Sequence, residues 1–434
     1  MDSKLEQTLE QARELDRQDP LSEFRNQYWI PKKADGGEQL YFCGNSLGLQ
    51  PKGARAAVLD ELTAWQELAV EGHFKGQRPW LSYNDLLRGP MAEIVGAKPS
   101  EVVVMNTLTV NLHLMLISFY RPEGQRRKIV IEQQSFPSDR YAVESQIRMH
   151  GLDPAECLVE ISPPADGRII GETTIEDYLE EHGEQVALVL WPGVHYASGQ
   201  FFDLQRIAVS AHKAGALCGF DLAHAVGNVP LNLRECDADF AVWCTYKYLN
   251  SGMGSVAACF VNERFDKDSN LKRLHGWWGN LPDSRFMMAP EFEPANGAEA
   301  WALSNPPILA MAPIRVSLEL FQKAGMSALR RKSVAMTAYL ERLIQTELKE
   351  FLEIITPAEP GRRGCQLSLR VLAGRVAGRA LFQQLEKAGT VPDWREPDVI
   401  RVAPVPMYNR FEDCWQFVQQ VKRFVGKSQP HSAF

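Results

Sequence analysis

Phe220-Asp221-Leu222-Ala223-His224-Ala225 ends one apolar run, residues 216–221, and Cys244-Thr245-Tyr246-Lys247-Tyr248 ends the next, residues 240–244. Upstream lie further short apolar runs at 102–105, 128–131, 157–161 and 186–191, and one more follows at 255–261. Helical patterns separate several of them, as at 174–182 and 204–213. Strands alternating with helices predict a mostly parallel sheet covered on both faces. In such open sheets ligands bind beyond the carboxyl ends of the strands. Asp221, His224 and Lys247 are therefore expected on one edge of the sheet.

Outward from this centre, a helix is expected over 51–70, followed by Glu71-Gly72-His73-Phe74-Lys75-Gly76. Pro306 and Pro307 punctuate the chain before two helices near 308–323 and 328–350. The remainder reads as strand 365–371, helix 376–387, strand 399–403 and helix 412–424. This divides the chain into an N-terminal segment (1–50) packing with the small domain, a large α/β domain (51–310) and a small α+β domain (311–434). Ser3 and Glu6 read as a capping box, with Leu5, Leu9 and Ala12 on one helical face.

The chain has 434 residues, and its net charge of −7 leaves no excess of basic residues to displace counterions from a nucleic acid. The longest uncharged run, 102–120, contains Asn106, Thr107, Thr109, Asn111, His113 and Ser118, too polar for a membrane span. The charged N-terminus resembles no secretory signal. Eight cysteines without a CxxC pair predict free, mostly buried thiols in a reducing compartment, hence a cytoplasmic protein without a metal site.

A lysine and an aspartate on one sheet edge suit pyridoxal phosphate (PLP). The lysine amine forms the Schiff base, and the carboxylate keeps the pyridine nitrogen protonated, which makes the ring an electron sink. A carboxylate at the end of an apolar strand is costly to bury alone, and a pyridinium partner removes that cost.

Several segments then resemble the kynureninase family. They are Phe220 through Asn228, Trp243 through Asn250, Tyr41-Phe42-Cys43-Gly44-Asn45-Ser46-Leu47-Gly48, residues 106–114, Phe136-Pro137-Ser138-Asp139, Gly276-Trp277-Trp278-Gly279, Ser304-Asn305-Pro306-Pro307 and Ile400-Arg401-Val402-Ala403-Pro404. They occur in order over nearly the whole chain. The resemblance implies a PLP-dependent transferase-like (fold type I) enzyme working as a homodimer with its active site at the subunit interface. It also implies cleavage of L-kynurenine or 3-hydroxy-L-kynurenine to anthranilate or 3-hydroxyanthranilate plus L-alanine, in tryptophan catabolism.

Carried over by position, the resemblance assigns Lys247, Tyr246 and Asp221 to catalysis, with Tyr246 shuttling protons and reaching the phosphate. Leu108 and Thr109 match a phosphate-binding turn where a strand gives way to a helix. Phe136 resembles the aromatic that stacks on the cofactor, and Asp139 and His224 match polar groups around its ring. Trp277 and Asn305 resemble cofactor contacts entering from the other subunit. Arg401 resembles the clamp on the substrate α-carboxylate, a bidentate task suited to its fork. Asn45, Ser46, His73 and Asn305 complete the substrate side, the last two as readers of a ring hydroxyl. Pro192 stands where many relatives have a serine that contacts the cofactor. The nearest rival is a cysteine desulfurase or selenocysteine lyase, which needs a nucleophilic cysteine on a mobile loop. Cys365 is the candidate, yet Cys365-Gln366-Leu367-Ser368-Leu369-Arg370-Val371 alternates like a strand and predicts a packed thiol.

Overall fold

The apolar runs become strands because their β-branched and aromatic residues are buried on both sides. In the computed structural model, which describes residues 8–428 except 166, 267 and 269, a short β1 (Leu40–Tyr41) precedes seven strands of one sheet. These are β2 (Val102–Val104), β3 (Lys128–Glu132), β4 (Leu158–Ile161), β5 (Val186–Pro192), β6 (Leu217–Asp221), β7 (Phe240–Trp243) and β8 (Ala258–Val261). Their order is β2-β8-β7-β6-β5-β3-β4, and β8 alone runs opposite to the other six. The expected mostly parallel α/β sheet is therefore present, with all seven strands close to their expected positions.

Alternation explains the two covered faces. Ile129, Ile131, Leu188, Leu190 and Val242 join the core on one face, while Val130, Val189, Trp191, Cys218 and Phe220 join that on the other. Gly219 permits the close approach of β7, since a Cβ there would sit 2.0 Å from the Phe240 ring.

A second sheet is antiparallel, in the order β12-β13-β10-β9, built from β9 (Leu352–Ile354), β10 (Leu367–Val371), β12 (Asp393–Arg395) and β13 (Val399–Val402). The intervening β11 (Thr390–Val391) pairs in parallel with β1. A third apolar core, including Phe42, Leu340, Leu343, Leu369, Ile400 and Phe417, lies under this sheet. The helix Leu9–Arg17 packs on the helix Phe411–Ser428, and Asp16 accepts the backbone N–H groups of Phe411 and Glu412. The capping box expected at Ser3 and Glu6 lies outside the described residues; the observed cap of the first helix is Thr8, which accepts Gln11 N–H.

Two expectations shift at their edges. The helix Ile308–Ala324 packs on the helices Ala54–Leu68 and Asp85–Val95, so the division expected near residue 310 falls in the first turn of a helix attached to the large sheet. The strand expected from residue 365 begins at Leu367, and Cys365 precedes it, fully buried. Among the described residues no helix is long and apolar enough to cross a membrane.

Candidate active site

Strands β3, β5, β6 and β7 run in the same direction, so their carboxyl ends line up. Glu132 ends β3, Pro192 ends β5, Asp221 ends β6, and the turn after β7 carries Tyr246 and Lys247. The turn is held by several backbone groups. Asn250 N–H donates to the Lys247 carbonyl at 3.0 Å, Ser251 N–H to Thr245 O at 3.2 Å, and Gly48 N–H to Tyr246 O at 2.8 Å. Asn250 itself adopts a left-handed φ of 55°, a conformation asparagine tolerates well.

These ends border a cavity of about 180 Å³. Size does not single it out, because clefts of about 550 and 440 Å³ lie elsewhere, but neither of those is lined by a lysine. Asn45, Ser46, Leu108, Thr109, Phe136, Asp139, Asp221, His224, Tyr246 and Lys247 all line the small cavity.

Lys247 Nζ lies 3.0 Å from His224 Nε2 and 5.9 Å from the centre of the Phe136 ring. Burial, reinforced by Lys247, Arg401 and Arg395, holds His224 well below the usual histidine range, so the imidazole is neutral. Its Nδ1 is buried without a hydrogen-bond partner. Asp221 accepts the Ala223 N–H at 2.7 Å. Burial pushes its carboxyl up, while the Ala223 N–H and Lys247 pull it back. Asp139 is pushed well up, first by burial and then by the nearby Asp221, and its Oδ1 has no hydrogen-bond partner. Burial raises the Tyr246 phenol as well, so it stays protonated at neutral pH.

The first N–H groups of a helix have no intrahelical acceptor, and Leu108 and Thr109 begin the twelve-residue helix Leu108–Phe119 at the cavity. Thr109 Oγ1 and Ser138 Oγ share a hydrogen bond of 2.7 Å. Phe136 stands on the cavity rim just before the helix Pro137–Met149, 43% exposed and in T-shaped contact with Tyr196 at 5.5 Å between centroids. Asn45 is buried, donates to Gln366 Oε1 at 2.8 Å, and keeps an unpartnered Oδ1.

This donor set fits PLP. A lysine amine is available for the covalent bond, a helix N-terminus for the phosphate, an aromatic face for the ring, and buried carboxyls for a protonated ring nitrogen. His224 Nδ1 and Asp139 Oδ1, buried without partners in residues that line the cavity, are polar atoms that a bound polar group could satisfy.

Four expected residues lie off the cavity within one chain. Arg401 is fully buried behind it, donating to Tyr196 O at 2.8 Å and paired with Asp393. It does not face solvent, but neither does it border the cavity. His73 packs edge-on against Trp80 with centroids 5.3 Å apart. Trp277 is 42% exposed and donates to Arg285 O, and Asn305 is exposed.

Glu132, Ser138, Tyr196 and Arg395 also border the cavity and were not singled out from the sequence. The logic that found Asp221, an acid ending an apolar strand, applies equally to Glu132. Arg395 gave no such signal, since a polar three-residue edge strand reads as surface.

Cys365 is absent from the cavity lining, and burial pushes its thiol up to about 12. All eight cysteines are free, and all but Cys43 are buried.

The sheet and the lysine–carboxylate pair beyond its carboxyl edge define a PLP-dependent enzyme of fold type I. Solved structures share the fold: a cysteine desulfurase from Escherichia coli (TM-score 0.74, 14% identity, covering 94% of this chain and 98% of that one) and another from Thermococcus onnurineus (0.72, 16%, 90% and 95%). At such identity the likeness speaks of the fold alone. A kynureninase from Stenotrophomonas maltophilia is 59% identical over 412 residues, 95% of this chain and 97% of that protein, and one from Xanthomonas euvesicatoria is 56% identical over 408 residues, 94% and 96%. The kynureninase C-terminal domain matches residues 329–421. The chain belongs to the kynureninase family.

Proposed function

We propose that the chain hydrolyses the Cβ–Cγ bond of L-kynurenine or 3-hydroxy-L-kynurenine, releasing L-alanine and anthranilate or 3-hydroxyanthranilate. The observation that carries this reading is the cavity that joins Lys247, neutral His224, Asp221 and the helix N-terminus in a chain of this family. Bound PLP supplies an electron sink that stabilises negative charge on the amino acid's carbons. Asp221 would keep the ring nitrogen protonated, and Phe136 would cover one ring face. Lys247 Nζ, once free, is the base that removes the α-proton. Tyr246, a phenol that stays protonated, would deliver the later proton from Oη. Leu108 and Thr109 hold the phosphate with backbone N–H groups.

Substrate preference and the second subunit belong to the same proposal. His73, Trp277 and Asn305 lie off the cavity of their own chain, in keeping with a homodimer in which Trp277 and Asn305 serve the neighbour's site. A site that bonds a ring hydroxyl penalises the analogue lacking it. 3-Hydroxykynurenine is therefore expected to be cleaved at least as efficiently as kynurenine. The test is kcat/KM for both substrates in wild type, His73→Phe and Asn305→Thr; an unchanged ratio in all three removes these residues as readers of the hydroxyl. The free, mostly buried thiols support a cytoplasmic location.

A sulfur-transfer reaction is less well supported, because Cys365 lies off the cavity with a high-pKa thiol.

A further inference from the structure

Glu61 is a charged residue in an apolar position. On the helix Ala54–Leu68 it shares the buried face with Ala54 and Ala57 and is 2% exposed. A carboxylate so enclosed is costly unless hydrogen bonds replace its water. Three donors do so, and all come from one later stretch. Arg78 Nε at 2.7 Å and the Tyr83 hydroxyl at 3.2 Å donate to Oε1, and Trp80 Nε1 donates to Oε2 at 3.2 Å. Between the helix and these donors the chain makes an excursion that begins at Ala69, whose φ of 46° is left-handed and unfavourable for alanine. Such a turn persists only where its surroundings hold it. The excursion carries His73, and Trp80 connects it to Glu61. The Trp80 ring lies on Gly72, where a Cβ would come within 2.6 Å of it, and meets the His73 ring edge-on at 5.3 Å between centroids. Phe74, the other ring beside His73, is itself 60% exposed, so Trp80 is the anchored contact. Glu61 and Trp80 also border a cleft of about 440 Å³ that Pro307 through Ala310, just after Asn305, line as well. Among the described residues lining that cleft, Glu61 alone is charged.

We propose that Glu61 is a positioning residue for substrate selection: through Trp80 it fixes the seat of His73, and with it the discrimination between 3-hydroxykynurenine and kynurenine. This rests on the reading of His73 as a group that bonds the aryl hydroxyl. A hydrogen bond selects a substrate only while its protein partner is held in place. Glu61 does not line the cavity around Lys247, so its effect falls on selection and not on the bond-breaking steps.

The experiment measures kcat and KM for both substrates in holoenzyme of wild type, Glu61→Leu, Glu61→Gln, Trp80→Phe, His73→Phe and the double variant Glu61→Leu with His73→Phe, each checked for PLP content. Hydrogen exchange over residues 69–83 follows the segment independently of turnover. Glu61→Leu should speed exchange there and lower the kcat/KM ratio of 3-hydroxykynurenine to kynurenine about 3- to 10-fold, the worth of one hydrogen bond. The loss should appear in KM for the hydroxylated substrate, with kcat for kynurenine within about twofold of wild type. Trp80→Phe removes one donor and Glu61→Gln keeps one accepting oxygen. Both should fall between wild type and Glu61→Leu, and they carry the test if Glu61→Leu does not fold. Adding His73→Phe to Glu61→Leu should move the ratio no further, because both changes act on one contact. Equal losses on both substrates would mean a merely structural role and overturn the proposal. So would additive effects in the double variant, or a ratio moved by His73→Phe but by none of the Glu61 variants. A ratio unmoved by His73→Phe alone would remove the reading on which the proposal rests, and the proposal with it.

Discussion

At the level of single residues the site turns on how burial sets charge. Lys247→Ala should abolish the covalent link to PLP, read by borohydride reduction and peptide mapping, and with it nearly all turnover. A reducible link in that variant would place the anchor elsewhere. Glu132 offers a separate test, because burial pushes its carboxyl from 4.5 to about 8. The folded chain binds this proton more tightly than the unfolded one. The stability it contributes is therefore full below about 4.5 and is lost as pH climbs through about 8. Glu132→Gln, neutral at every pH, should gain in Tm over wild type as pH rises from about 5 to 9, by up to a few kcal/mol of stability. Parallel Tm curves would show that Glu132 ionises without cost. Asp221, His224 and Lys247 were legible in the sequence because each sits in a short polar break after an apolar run. Arg395 and Tyr196 were not, since their access to the cavity comes from the meeting of two sheets.

Among the elements, strand ends and loops do the positioning. The loop Cys43 through Gly48 docks on the turn that carries Lys247, and a Cβ on Gly48 would lie 2.2 Å from the Lys247 carbonyl oxygen and 2.8 Å from Asn250 Cα. These are backbone atoms that cannot swing aside. Gly48→Ala should destabilise the protein by about 1–3 kcal/mol and lower activity more than stability requires, by displacing Lys247. Wild-type kcat in a stable Gly48→Ala protein would show that the two loops are not coupled. The seven strands were legible because a doubly covered parallel sheet writes itself as unbroken apolar runs. Cys365 was harder: the alternation that follows it continues back through its position, yet Cys365 N–H is taken by Asn228 Oδ1 and the strand begins only at Leu367.

In the whole molecule, one chain brings Lys247, Asp221, His224 and the start of the helix Leu108–Phe119 to one cavity, while Trp277 and Asn305 stand apart at exposed positions. If those two serve a neighbour, Lys247→Ala and Asn305→Ala chains, each inactive alone, should regain activity on mixing, because each heterodimer then holds one intact site. No recovery after verified subunit exchange would make each site self-sufficient. The expectation of a shared site comes from resemblance alone, as no periodicity or composition marks a residue for a partner's site. The account as a whole stands on the reaction. Purified holoenzyme incubated with L-kynurenine in ¹⁸O-water should yield anthranilate and L-alanine in equal amounts, with one ¹⁸O atom in the new carboxylate. Sulfide and alanine from L-cysteine, with kynurenine left untouched, would contradict it.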